Sequence, residues 1–276
     1  MEIQQSPQYA AYIKALGWNV VKIKTQFAYI KPLPFVGGLC KLQRIKTLPE
    51  ISVLLTLCKH YHIRRLAVEP DCSVSQGAFT AWATRAKPYI RLNTDYFLPT
   101  KTIRIDLTAS EQVLFKTFTE AKQRGVRRAI KNGVTVSVGQ NIRDLIRIKN
   151  TSAGFLGSIT TFGLDRLWPN FAPDHADAVL SYTKNHTLVG GILMLYHGSL
   201  AYYWVAGATH EGKRLHAPTL LVWEALKRAK QKGCTSFDFV GVWDERMPDQ
   251  NTKWKGFTKF KEGFGGSPLY YPFLSG

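Results

Sequence analysis

The sequence predicts a mixed α/β protein built as two successive units. Three observations carry that expectation. Strand and helix signals alternate over roughly the first 100 residues, the pattern restarts at Thr102-Ile103-Arg104-Ile105-Asp106-Leu107, and the last third, from Leu200 to Tyr271, runs strand, loop, capped helix, strand. A boundary near Pro99 to Arg104 separates the two patterns better than one continuous sheet does. With 276 residues and 45% hydrophobic content the chain can bury ample core, which excludes a disordered protein.

Each element follows from a local pattern. VVKIKTQFAYIKPL, from Val20, is rich in β-branched and aromatic residues and stops at Pro32 and Pro34. LPEISVLLTLCKHYHI has helical spacing, with Leu54, Leu57, Cys58 and Tyr61 on one side. RRLAVEP reads as a strand ended by Pro70, and Asp71 to Tyr96 is polar and without an assignable period. After the strand at 102–107, TASEQVLFKTFTEAKQRGVRRAIKNGV reads as one helix. Thr108 and Glu111 have capping-box spacing, Val113, Leu114 and Phe118 form an apolar stripe, and Gly133 follows the end. GVTVSVG alternates as a strand and Asn141 to Gly154 suggests a helix. A loop with Trp168, Pro169 and Pro173 leads to the Ala176–Tyr182 element. The apolar window Leu188 to Ala208 is broken by Gly190, Gly191, His197 and Gly198, so a hairpin explains it better than a membrane span. The next helix has Pro218 in its first turn, Leu220, Leu221, Trp223 and Leu226 on its buried side, a basic C-terminal half and Gly233 beyond its end. SFDFVGVW then reads as a strand covered on both faces.

Charge narrows the partners. Lys and Arg number 37 against 19 Asp and Glu, a formal net charge of +18, which favours nucleic acid, anionic lipid or phosphorylated substrates. Arg124, Arg127, Arg128 and Lys131 fall at i, i+3, i+4, i+7, as a phosphate-contacting or a solvated helix face would. The four cysteines, at 40, 58, 72 and 234, form no CxxC pair, and the seven histidines show no HExxH spacing, so neither a metal site nor a disulfide framework is expected. The polar N-terminus carries no secretory signal, and a cytoplasmic location is expected, with contact at the inner face of the cell membrane left open. Asp106 and Asp238 are strand-end carboxylates, either structural or general bases.

The loop-to-helix step Arg214-Leu215-His216-Ala217-Pro218-Thr219 stands where an N-acetyltransferase would hold a coenzyme A pyrophosphate on glycine-rich backbone N–H groups. It has no glycine, and Pro218 has no N–H to offer. The run GATHEGKRLHAPTLLVWEALKRAKQKGCTSFDFVGV, followed by KGFTKFKEGFGG, resembles the C-terminal half of the Fem family, the peptidoglycan bridge-forming aminoacyl transferases that use aminoacyl-tRNA. The segment from Thr102 to Val134 is similar to that family's mid-chain, and QSPQYAAYIKALGW, ending in Gly17-Trp18, resembles its opening. The resemblance implies two tandem acetyltransferase-like (GNAT-like) subdomains, residues 1–103 completed by about 266–276, and residues 104–265.

It also implies a reaction and a site. An aminoacyl group would move from the tRNA ester to the stem-peptide amine of a UDP-linked or lipid-linked muropeptide precursor. The ester is already activated, so no cofactor and no metal is expected. Phe260-Lys261, followed by Phe264, Gly265 and Gly266, matches the family's Phe-Lys motif, which makes Lys261 the expected electrostatic stabiliser, with Phe260 beside it. Lys14 matches a precursor-binding lysine and Tyr203 a cleft tyrosine. The basic balance fits tRNA, for which Arg124, Arg127, Arg128, Lys131 and Lys255 are the candidate contacts. The family's Arg before a Gly-Phe pair is absent at Asn150 to Phe155, which shifts precursor recognition toward Arg147, Lys149 or Arg166. Two other readings stay open: an N-acyltransferase using acyl-CoA or another donor, and an RNA-binding protein on a transferase frame.

Overall fold

The computed structural model describes residues 2–139, 141–153 and 161–274. The chain divides into two compact units, Met1–Lys101 with Leu269–Gly276, and Thr102–Pro268.

The first unit opens on α1 (Pro7–Ala15), where Ser6 Oγ caps the helix by accepting the Tyr9 N–H at 3.1 Å. Its sheet has the order β1 (Asn19–Ile23), β2 (Gln26–Lys31), β3 (Gly38–Ile45), β4 (Ile63–Pro70). The first two pairings are antiparallel, and β3 and β4 are parallel, joined by the crossover helix α2 (Ile51–His60). The period-less stretch contains a further helix, α3 (Gln76–Ala86), capped by Ser75. Its buried stripe, Phe79, Trp82, Ala83 and Ala86, is spaced i, i+3, i+4, i+7, but two alanines and polar neighbours mask it in sequence. These side chains pack with Ile30, Cys40, Leu42, Ile45 and Leu54 in one core.

A polar chain crosses that unit with its groups satisfied. Gln5 Oε1 accepts the Phe27 N–H at 2.7 Å and Gln5 Nε2 donates to the Gln43 carbonyl at 2.7 Å. Gln43 Nε2 donates to Glu69 at 2.9 Å, and Glu69 accepts the N–H groups of Phe97 and Leu98. The chain's last described residues complete the unit. The Tyr271 N–H donates to the Thr100 carbonyl at 2.8 Å, Arg44 lies 3.2 Å from the Tyr271 ring centre, and the Gln76 side chain bonds both the N–H and the carbonyl of Phe273.

The second unit runs β5 (Lys101–Asp106), α4 (Glu111–Lys116), α5 (Glu120–Lys131), β6 (Thr135–Gly139), α6 (Arg143–Ala153) and α7 (Leu164–Phe171). It continues with β7 (Ala176–Tyr182), β8 (Leu188–His197), β9 (Leu200–Ala208), α8 (His210–Arg214) and α9 (Ala217–Gln231), then β10 (Ser236–Asp238), α10 (Lys255–Glu262) and β11 (Ser267–Tyr270). The strands form one mixed sheet of order β11-β5-β10-β9-β8-β7-β6, in which β10 and β9 are parallel. The apolar window at 188–208 is indeed a hairpin, β8 against β9. α9 buries Leu220, Leu221, Val222, Ala225, Leu226 and Ala229.

Three sequence expectations are corrected. The single helix expected over 108–134 is two helices, capped by Ser110 rather than Thr108, whose N–H instead binds Asp106 at 2.8 Å. The break falls where Phe118 turns into the core and the Thr119 N–H bonds the Gly263 carbonyl at 2.9 Å, so tertiary contacts override helical propensity. The loop expected around Trp168 and Pro169 is the helix α7, with Leu164, Leu167 and Phe171 buried. SFDFVGVW is a strand only over Ser236–Asp238, because Val240 and Gly241 adopt left-handed backbone (φ 54° and 111°).

Candidate functional site

A cleft of about 550 Å³ opens in the second unit between α5, α6, α8, α9, α10 and the middle of the β8–β9 hairpin. Glycines let the helices approach the sheet. A Cβ at Gly207 would stand 3.0 Å from Lys149 Cα, and one at Gly191 would stand 2.8 Å from side-chain carbons of Leu145 and Leu180. On the floor, the β8–β9 register shifts between Leu193 and Met194, which leaves Trp204 as an extra residue and brings Tyr203 and Ala206 to the cleft. Burial pushes the Tyr203 hydroxyl up from its ordinary value.

Three lysines and a histidine line this cleft: Lys122 on α5, Lys149 on α6, Lys213 on α8, and His216 at the start of α9. Among the described residues, no Asp or Glu lines it. Lys122 is half-buried, its Nζ 3.7 Å from the centre of the Phe260 ring, and desolvation lowers its pKa to about 8. The Lys149 ammonium is also held below its ordinary pKa, first by burial and then by the charge of Lys213. Such a site gains by admitting an anion, because among the described residues no carboxylate in the lining compensates its desolvated lysines.

The start of α9 offers few donors. His216 is left-handed (φ 61°), and its carbonyl takes the N–H groups of Thr219 and Leu220 at 3.0 and 3.3 Å. Pro218 follows without an N–H, so this helix end lacks the set of convergent N–H groups that cradles a pyrophosphate.

Lys261 sits apart from the cleft lining, 8% exposed. Its Nζ donates to the carbonyls of Phe239 and Gly241 at 2.8 and 2.6 Å and lies 5.7 Å from the Tyr203 ring centre. Desolvation lowers its pKa to about 8, against a raising influence from Asp238. Asp238 is buried and accepts Thr102 Oγ1 at 2.6 Å, Arg104 Nε at 2.8 Å and the Val240 N–H at 2.7 Å. Thr102 Oγ1 in turn accepts the Gly241 N–H at 3.1 Å, and Thr258 Oγ1 accepts that of Trp243 at 2.8 Å. The turn from Phe239 to Trp243 is thus held by side chains from β5, β10 and α10. After α10, Gly265 and Gly266 take φ of 79° and 88°, and a Cβ at Gly266 would stand 2.5 Å from the Arg104 carbonyl oxygen, so the motif's glycines serve chain path as well as space.

The structure gathers Phe260, Tyr203 and Lys149 around one cleft, with Lys261 beneath Tyr203. Arg124, Arg127, Arg128 and Lys131 are not among the lining; Arg124 pairs with Glu120 at 2.9 Å and Arg127 lies 5.6 Å from the Phe115 ring centre. Lys255 is exposed over the Trp243 ring at 4.4 Å. Lys14 is exposed in the first unit, beside a depression formed with Trp18, Asn19 and Tyr61. Arg147 pairs with Asp144 at 3.1 Å, Arg166 is exposed, and Gly154-Phe155 lies outside the described residues. Asp106 is exposed and binds the Thr108 N–H. Lys122 and Lys213 escaped sequence reasoning. Lys122 stands in the basic segment without the spacing of its four neighbours, and nothing local marks Lys213 as facing a cavity.

Among the described residues, no group of three or more His, Cys, Asp or Glu side chains could hold a metal ion, and no helix is long and apolar enough to cross a membrane.

Residues 174–269 match the family model described as the FemAB family. No curated protein matches the chain. Among solved structures, one described as FemX is similar at 16% identity with a TM-score of 0.75, covering 98% of this chain and 90% of the other. The C-terminal domain of a putative lysylphosphatidylglycerol synthetase from Agrobacterium fabrum is similar at 11% identity and TM-score 0.60, over 97% of this chain and 86% of the other. A tandem GNAT protein from the clavulanic acid pathway is similar at 10% identity and TM-score 0.54, over 91% of this chain and 80% of the other. The fold is therefore the tandem acetyltransferase-like one, and residues 174–269 are similar to the FemAB family. That family match supports a transferase.

Proposed function

We propose that this chain is an aminoacyl transferase that moves an amino acid from aminoacyl-tRNA to the stem-peptide amine of a UDP-linked or lipid-linked peptidoglycan precursor. The observation that carries this reading is the cleft of the second unit, which collects Lys122, Lys149, Lys213 and His216 with no carboxylate among its described lining residues and Phe260 at its edge. The 3′ end of a tRNA suits it: phosphates for the ammonium groups and a base for the aromatic face. The poor N–H supply at the start of α9 favours this donor over coenzyme A.

In the reaction, the acceptor amine attacks the ester carbonyl carbon and forms the C–N bond. The oxyanion then collapses, the C–O bond to the ribose breaks, and the proton lost by nitrogen ends on the ribose oxygen. The chain's work is to align amine and ester and to offset the oxyanion's charge. Lys261 is the candidate for the second task, acting from beneath Tyr203, with Phe260 ordering the donor end. Lys14 is the candidate phosphate contact of the precursor. Arg124, Arg127, Arg128, Lys131 and Lys255 form the outer field that steers the tRNA. The reaction belongs in the cytoplasm, where aminoacyl-tRNA is made.

The test is a transfer assay with purified protein, a mixed pool of radiolabelled aminoacyl-tRNAs, and soluble or lipid-linked precursor. Label on the acceptor, lost on RNase treatment and in Lys261→Met, supports the reading and names the amino acid. Folded protein that transfers to neither acceptor, yet binds acyl-CoA by calorimetry, replaces it with a CoA-dependent acyltransferase. Tight tRNA binding that ignores aminoacylation, with no turnover, leaves an RNA-binding protein.

A further inference from the structure

The β2–β3 connection of the first unit reads Lys31-Pro32-Leu33-Pro34-Phe35-Val36-Gly37, and its apolar side chains face solvent. Relative exposure is 36% for Leu33, 105% for Phe35 and 62% for Val36. A folded chain gains nothing in stability from such a cluster, and three large apolar residues within four positions differ from the scattered exposed residues of an ordinary surface. The tip is built to hold this shape. Pro32 and Pro34 restrict the backbone, Phe35 is left-handed at φ 67°, and the Val36 N–H closes onto the Pro34 carbonyl at 2.8 Å. The Gly38 N–H bonds the His62 carbonyl at 2.7 Å. Two residues of the tip thus have no N–H, and two more N–H groups at its base are bonded within the protein, which lowers the cost of taking this backbone out of water.

The surroundings are basic. β4 bulges beside the loop, with Gly38 opposite Ile63 and Leu39 opposite Arg65, so Arg64 is the extra residue. Its side chain lies along Gly37, where a Cβ would be 2.6 Å from Arg64 Cγ. Arg64, Arg65, Lys59, His60 and His62 are all exposed. Neither residues 51–68 nor residues 31–45 include an Asp or Glu. A stiff apolar tip flanked by cations matches one kind of surface, a bilayer with anionic headgroups over an acyl boundary. RNA would answer the cations but has no apolar layer for Leu33 and Val36.

We propose that the β2–β3 loop is a membrane-surface anchor: Leu33, Phe35 and Val36 enter the interfacial layer of an anionic phospholipid bilayer while Arg64 and Arg65 meet its headgroups. The assignment does not rest on the transferase reading, since it needs neither donor nor acceptor.

The full-length protein is sedimented with phosphatidylcholine vesicles, with and without phosphatidylglycerol. The expected result is binding to the anionic vesicles that weakens in high salt and falls by about tenfold or more in Phe35→Ser/Val36→Ser, with melting temperature unchanged. Arg64→Gln/Arg65→Gln is expected to lose the preference for phosphatidylglycerol. Three results overturn the proposal: no sedimentation with either vesicle; anionic binding that survives Phe35→Ser/Val36→Ser undiminished, which means charge adsorption alone; or loop variants that bind vesicles normally but lose tRNA in a filter-binding assay, which assigns the patch to RNA. Transfer to a soluble acceptor serves as the separate control, and the loop variants are expected to leave it unchanged.

Discussion

Lys122 and Lys261 both lie against aromatic rings, Lys122 near Phe260 and Lys261 near Tyr203, and burial lowers both to a pKa of about 8, yet their surroundings set them to different tasks. Lys261 is enclosed, and its Nζ is committed to the carbonyls of Phe239 and Gly241. Lys122 reaches along the ring of Phe260 into an open cleft, and among the described residues no carboxylate pairs with it. Lys261 holds a turn in place and can act on the site only from that fixed position, whereas Lys122 faces the cleft directly. A lowered pKa alone therefore does not identify a binding cation; the partners of the Nζ do.

Substitutions can break or sharpen that contrast. Lys261→Met is expected to have the largest effect, about 100-fold or more in transfer rate, with roughly 1–3 kcal/mol of stability lost as two buried carbonyls lose their donor. Single-turnover transfer and urea unfolding measure the two effects; unchanged unfolding would break the structural half of the contrast. Gly266→Ala comes next. Its Cβ would meet the Arg104 carbonyl at 2.5 Å with φ at 88°, and a loss of about 2 kcal/mol or more is expected in thermal unfolding. Because α10 carries both Phe260 and Lys261, transfer should fall with it.

Lys122→Met should do the reverse of Lys261→Met. Stability stays level or rises slightly, since a desolvated charge is removed, while affinity for the tRNA 3′ end drops about tenfold by filter binding. Wild-type affinity should also weaken as pH rises through about 8, where Lys122 loses its charge, and the variant should not show that step.

Stability follows the opposite course with pH. Both lysines have folded pKa values near 8 against an ordinary 10.5, so between these limits the unfolded chain binds more protons. Unfolding free energy should gain from these groups as pH rises from about 8 to about 10.5, and the gain should shrink in Lys261→Met. The smallest effect is expected from Arg124→Gln/Arg127→Gln/Arg128→Gln/Lys131→Gln, which should lower the salt slope of tRNA binding by about 0.7 for each phosphate no longer neutralised. An unchanged slope would mark that face as merely solvated.

Local chemistry made much of this legible. The β8–β9 hairpin shows in its glycine-interrupted apolar run and α9 in its proline, apolar stripe and Gly233, whereas the Phe260-Lys261 pair is marked only by its resemblance to a family motif. What stayed hidden depends on residues distant in sequence. α3 was masked because two of its core positions are alanine. The break between α4 and α5 depends on Gly263, and the early end of β10 on Lys261, Asp238 and Thr102. The cleft was hidden for the same reason: Lys122, Lys149 and Lys213 come from three helices, and no sequence window contains them all.

The return of the chain to its first unit has a consequence for synthesis. Arg44 and Gln76 receive Tyr271 and Phe273 only after every residue of the second unit has been made. On the ribosome, then, the unit that emerges first is finished last. A fragment cut anywhere between the units would leave its partners for these residues empty, so the protein divides by structure where it cannot be divided by a single scission.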